Sequence, residues 1–263
     1  AEGQTVRDGA VRRKALIAPF VEHVAILHSR AGRSAALDWL NADYDRDRHA
    51  DVPPTGWALL GLLGAITAGF VALARALPPR NVAAPALPAS RLAAVIAGPA
   101  VAAPLLATAF ETDLLPVLVA DYLGLHLLIY GTAQLGLIWM LGGRRGPGWP
   151  VWLASAILFV WALGAFGLAL DRYGANFWPV GPRVGIIAAL AVGTVPFMLA
   201  DAWLAHRRAL RWRVAARIGF LASLGAAVAL DFDDLFFLIM IGPVIVLFWL
   251  TFGVMGRAAA RRS

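Results

Sequence analysis

His126 is the side chain in this sequence best suited to chemistry, because a histidine set deep in an apolar stretch has few ordinary reasons to be there. Tyr122 and Tyr130 stand four residues away on either side of it, so on a helix both phenols share its face. A neutral imidazole in that setting could ligate a haem or a chlorophyll-type pigment, or relay protons with Asp121; its plainer role is an interhelical hydrogen bond. His206 is the one other histidine at the edge of an apolar stretch, which speaks against haem held by two histidines. Gln134 and Asp201 are further polar groups within apolar stretches, and Asp201 lies near Arg207, Arg208, Arg211 and Arg213, so an ion pair is expected there rather than catalysis. Asp231, Asp233 and Asp234 could in principle hold a hard cation, but adjacent carboxylates in a loop more often mark a solvated turn, and no metal site is expected. With no cysteine, the chain offers no thiolate nucleophile, disulfide or thiolate-bound zinc.

The element that must position Asp121, His126 and Gln134 is the stretch Leu114 to Leu141, which contains no lysine or arginine. It is longer than the ~20 residues that cross a hydrocarbon core. A tilted membrane helix is predicted, with Asp121 about 10 Å and His126 about 18 Å from its outer end. Since an unpaired polar group in lipid is costly, these side chains must face other helices or a wet cavity. The chain around them agrees: of 263 residues, 60% are hydrophobic and only 15% charged, far from a soluble domain's balance. Apolar segments run at roughly 56–77, 92–110, 114–141, 151–171, 184–205, 212–230 and 235–256. The expected fold is therefore an all-α integral membrane protein of about seven transmembrane helices over residues 56–263, preceded by a short segment, 1–55, outside the bilayer. Pro99, Pro104, Pro116, Pro196 and Pro243 fall within the spans and predict kinks. The segments do not pair off as two related halves, which argues against a secondary transporter.

Charge gives the orientation. The formal net charge of +7 is carried by arginine, with Lys14 the sole lysine, and the arginines sit in short loops, so the partner is a bilayer rather than nucleic acid. Loops with Arg80 and Arg91, with Arg144 and Arg145, and with Arg207 to Arg213 alternate with those carrying Glu111 and Asp113, Asp171 to Arg183, and Asp231 to Asp234. Cytoplasmic loops retain arginine, so a multi-pass protein of a bacterial inner membrane is expected, N-terminus periplasmic and C-terminus cytoplasmic. Trp57, Trp149, Trp152, Trp178 and Trp212 lie near the span ends, where indole prefers the headgroup level.

Residues 1–55 balance eight basic against eight acidic side chains and have ordinary soluble polarity. Val21 to Leu27 reads as a short strand, and Ser29 as the cap of a helix reaching about Tyr44, with Leu37, Leu40 and Tyr44 on one face. A strand and one helix cannot bury a core. Asp51-Val-Pro-Pro closes the segment as a stiff linker. Alanine rather than methionine at position 1 predicts a processed or upstream segment.

Within that segment, FVEHVAILHSRAGRSAALDWLNADY resembles the closing part of α/β-hydrolases, where a histidine is followed by a short apolar stretch and a helix ending in Asp-Trp-Leu. The resemblance covers about residues 1 to 45. It implies that His23 is the triad histidine, with a strand nearer the N-terminus than Val21 to Leu27. The family order is nucleophile, acid, histidine, so the serine elbow, oxyanion donors and acid would all lie upstream. Gly32-Arg-Ser34-Ala-Ala36 echoes the elbow only in part, because Ser34 falls inside the expected helix. Bacterial hydrolases with a multi-span C-terminal membrane region would account for the whole pattern. The expected function is thus a membrane anchor for an exocytoplasmic serine hydrolase of esterase, lipase or peptidase type, with its core outside this chain. The alternative is a non-enzymatic accessory or assembly subunit of a larger membrane complex, with haem or pigment at His126. The small-residue face Gly61, Ala65, Ala68 and Ala72 motivates it.

Overall fold

The computed structural model of the chain describes all residues but 1–2, 10, 20, 22–24, 48, 77–86, 111–112, 142–155, 176–177, 206–207 and 261–263. Two compact units are present, Ala1–Gly64 and Ala65–Ser263.

In the first unit, β1 (Thr5–Asp8) and β2 (Val11–Lys14) pair antiparallel, with Thr5 opposite Lys14 and Asp8 opposite Val11. Gly9 takes φ 57°, the left-handed conformation that a tight hairpin turn needs. Helix α1 (Arg30–Asp43) follows, and Ser29 caps it by accepting from the Gly32 amide at 3.3 Å, as expected from sequence. The strand expected over Val21 to Leu27 does not form where it is described: Ala25–His28 is a 3₁₀ turn. The chain closes a local turn instead, with the Ser29 amide donating to the Ile26 carbonyl. Ile26 folds back over Gly32, where a Cβ would meet its side chain at 2.9 Å. Arg12 ties hairpin to helix, 3.0 Å from Asp43 and with its guanidinium 5.1 Å above the Trp39 ring.

Seven helices among the described residues are long and apolar enough to cross a membrane. They are α2 (Thr55–Ala76), α3 (Ala89–Ala107), α4 (Ala120–Met140), α5 (Ala156–Gly174), α6 (Pro182–Ala205), α7 (Leu210–Leu230) and α8 (Phe237–Ala260). The chain is an all-α, multi-pass membrane protein. Helix α4 packs most extensively on α6 and next on α3, while α3 also packs on α7. Pro99, Pro104, Pro196 and Pro243 lie inside helices as expected. Helix α5 contains a π-helical stretch, Ala162–Gly167, and ends in a second, Asp171–Ala175, which no pattern in its sequence announces.

The third span differs from expectation at its start. Leu114 to Val119 is not helical and Pro116 stands ahead of the helix, which begins at Ala120. Two features stop it. Proline disfavours helical backbone in the residue before it, and the Asp121 carboxylate accepts the Leu114 and Leu115 amides at 3.0 and 2.9 Å, folding the lead-in back onto the first turn. Val119 reverses the chain with φ 55°, a strained conformation for a β-branched residue. His126 therefore lies about 9 Å along its helix rather than about 18 Å.

Candidate functional site

The bundle's polar centre is a column along α4. Tyr122, His126, Tyr130 and Gln134 recur every fourth residue, and all four are buried. Their spacing puts them on one face, and the face is turned inward because α4 packs on α3 and α6 and its side chains reach those of α7. His126 is 0% exposed. Its Nδ1 lies 3.0 Å from the Tyr122 hydroxyl, and its Nε2 lies 3.1 Å from Ser223 Oγ on α7. A neutral ring carries one N–H, so one of those hydroxyls donates to the imidazole and the other accepts from it. The ring stacks on Tyr130 at 6.2 Å and meets the edge of Phe220 at 5.9 Å. Phe197 and Trp249 continue the aromatic packing around Phe220.

Ser223 and His126 have the contact that a nucleophile and its base need, with Tyr122 orienting the far nitrogen. Access is what they lack: Ser223 is 1% exposed and both sides of the imidazole are covered by rings, so no carbonyl can be placed against the hydroxyl. Both ring nitrogens are also engaged, which leaves neither free to ligate the iron of a haem or the metal of a pigment. The arrangement does what an interhelical hydrogen bond does: it joins α4 to α7 where neither helix offers water.

Gln134, Asp121 and Asp201 each have a structural partner, whereas the buried Tyr130 hydroxyl makes no hydrogen bond. Pro99 deprives the Val95 carbonyl of its helical N–H, and Gln134 Nε2 supplies a donor to that oxygen from α4 at 3.2 Å. Asp121 serves the backbone at the entry to α4 and is not a partner of His126. Asp201 on α6 faces Arg217 on α7 at 3.9 Å, the expected ion pair, although its arginine comes from within a span and not from the loop. The described His, Asp and Glu residues form no group that could hold a metal ion. His23 lies outside the described residues.

Sequence reasoning missed Ser223 and Arg217. Each had a signal: Ser223 is the sole hydroxyl of α7, and Arg217 stands two turns inside a helix otherwise uncharged beyond its first turn. A second candidate region lies in the first unit, where Leu16, Ile17, Ile26, Ala36, Trp39 and Leu40 line an open groove of ≈ 590 Å³ beside α1. Helix α1 has no fully buried residue, and Leu40 on its apolar face is exposed. Comparison of the chain with protein-family models, with curated proteins and with solved structures finds no match.

Proposed function

We propose that the chain is the membrane-anchoring part of an exocytoplasmic serine hydrolase, with His23 as the triad histidine and the nucleophile on a preceding part of the polypeptide. The observation that carries this reading is helix α1, an amphipathic helix with no fully buried residue, beside an unfilled apolar groove. A helix with Trp39 and Leu40 on such a face is what a larger domain leaves when only its end is present. The order of a strand at Val11–Lys14, a linking segment containing His23, and a helix from Arg30 also supports it, since that is the order the resemblance implies. The chemistry would be acyl transfer to water, with His23 passing a proton from serine to leaving group. The alternation of arginine-bearing and carboxylate-bearing loops favours a bacterial inner membrane, with residues 1–55 on the periplasmic side and the tail in the cytoplasm.

Labelling of intact membranes with a fluorophosphonate probe tests the proposal. The polypeptide carrying this chain should label, and His23→Ala should slow labelling at least about a thousandfold. A native N-terminus with no strand-serine-helix element ahead of residue 1 would end the hydrolase reading.

One observation favours the second reading, an assembly subunit. Gly61, Ala65, Ala68 and Ala72 are all exposed on α2, a small-residue face that no described residue covers. Mild-detergent extraction yielding a single chain, both in wild type and in an Ala68→Leu variant, would count against that reading.

A further inference from the structure

Helix α2 holds the first unit against the membrane without slack. Its 22 residues rise about 33 Å, little more than a hydrocarbon core, so Thr55 stands at the edge of the lipid and the exposed Trp57 at headgroup level. Thr55–Gly64 belongs to the first unit, and α1 is fastened to it. Arg33 Nη1 donates to the Pro53 carbonyl at 3.0 Å and to Thr55 Oγ1 at 3.1 Å, and a Cβ on Gly56 would meet His28 at 3.5 Å. The 3₁₀ turn Ala25–His28 is therefore seated on the first turn of α2. Ile26 is two residues from His28, at most about 7 Å of chain, which is comparable with the depth of one headgroup layer.

Ile26 also lines the apolar groove beside α1. From Gly32, which Ile26 covers, the groove follows α1 for about 12 Å to Leu40, with Leu16 and Ile17 on the other side. Ile17 is 72% exposed, and Leu27, next to Ile26, is 58% exposed. The apolar medium nearest to these side chains is the bilayer under the turn, which already covers the spans. Among the described lining residues Lys14 is the one charged side chain, and no carboxylate accompanies it. A long apolar slot suits a hydrocarbon chain, and a lone ammonium on a flexible stem favours an anionic head over a zwitterionic one.

We propose that this groove is a lipid site, in which an acyl chain of an anionic phospholipid from the adjoining leaflet lies along α1 between Ile26 and Leu40, with Lys14 drawing the head. The site goes beyond the hydrolase reading and does not depend on it. A preceding domain beside α1 would roof the groove, and a lipid entering from the Ile26 end would still occupy it.

The test uses the whole chain in nanodiscs that contain phosphatidylglycerol or phosphatidylcholine with a photoreactive diazirine on the acyl chain. Cross-linked residues are mapped by peptide mass spectrometry after irradiation. The spans react with either lipid and report that the protein is correctly embedded. Phosphatidylglycerol should in addition cross-link α1 and Leu16–Ala18, and more strongly than phosphatidylcholine does. Ala36→Trp places an indole in the groove from an exposed position, and should cut the yield there at least about tenfold while the spans react as before. Lys14→Gln should lower the preference of the groove for phosphatidylglycerol about fivefold. Cross-links confined to the spans, a groove yield unchanged in Ala36→Trp, or equal groove yields from the two lipids in the wild type would overturn the proposal.

Discussion

At the scale of single residues, Gln134, His126 and Ser223 inside the spans serve the backbone or one another. Gln134 is the clearest case, because the carbonyl it serves is free only on account of a proline on a different helix. Gln134→Leu should destabilise the bundle by about 1–3 kcal/mol, the cost of a buried acceptor without a donor. In a Pro99→Ala background the Val95 carbonyl can regain a helical N–H, so the same substitution should cost less there. Unfolding titrations of the two single variants and the double variant measure that coupling. An unchanged cost would mean that Gln134 matters for packing and not for the freed carbonyl. For His126, Ser223→Ala should cost about 1–3 kcal/mol by leaving the imidazole Nε2 unpaired on a helix that excludes water.

Between elements, glycine decides how closely α4 and α6 approach. A Cβ on Gly193 would collide with the Gly124 carbonyl oxygen, and one on Gly131 with the Phe197 backbone nitrogen. Backbone, unlike a side chain, cannot rotate away. Gly193→Ala and Gly131→Ala should each destabilise by about 1–3 kcal/mol or more through overpacking. Gly136→Ala, with nothing within 4 Å of its added carbon, should be close to neutral. Unfolding midpoints for the three variants make the comparison, and equal effects would contradict it. In the first unit, Ser29→Ala should cost about 1 kcal/mol of α1 stability by removing the cap of the Gly32 amide.

On the scale of the whole molecule, the absence of cysteine makes topology directly measurable, since any introduced thiol is unique. Asp51→Cys and Ser263→Cys should react with a membrane-impermeant maleimide from opposite sides of the bilayer. Reaction of both from one side would contradict seven crossings between them. Because Asp51 precedes the first span and Ser263 follows the last, the result depends on the number of crossings and not on the details of packing.

The sequence by itself determined the class of the protein and most of its spans. Length and apolarity are local properties, and a membrane helix satisfies its own backbone hydrogen bonds, so little in α2, α6 or α7 awaits a neighbour before it can be recognised. Ser29 was legible for the same reason, since a cap acts within one turn. The start of α4 was not: Leu114 to Val119 is as apolar as a span, and only the turn of Asp121 back onto two amides shows that it lies outside the helix. Nor could the sequence decide what His126 does. Its reach toward Ser223, 97 residues later, exists only because α4 and α7 enclose it, and an imidazole's chemistry is set by which of its nitrogens are left free.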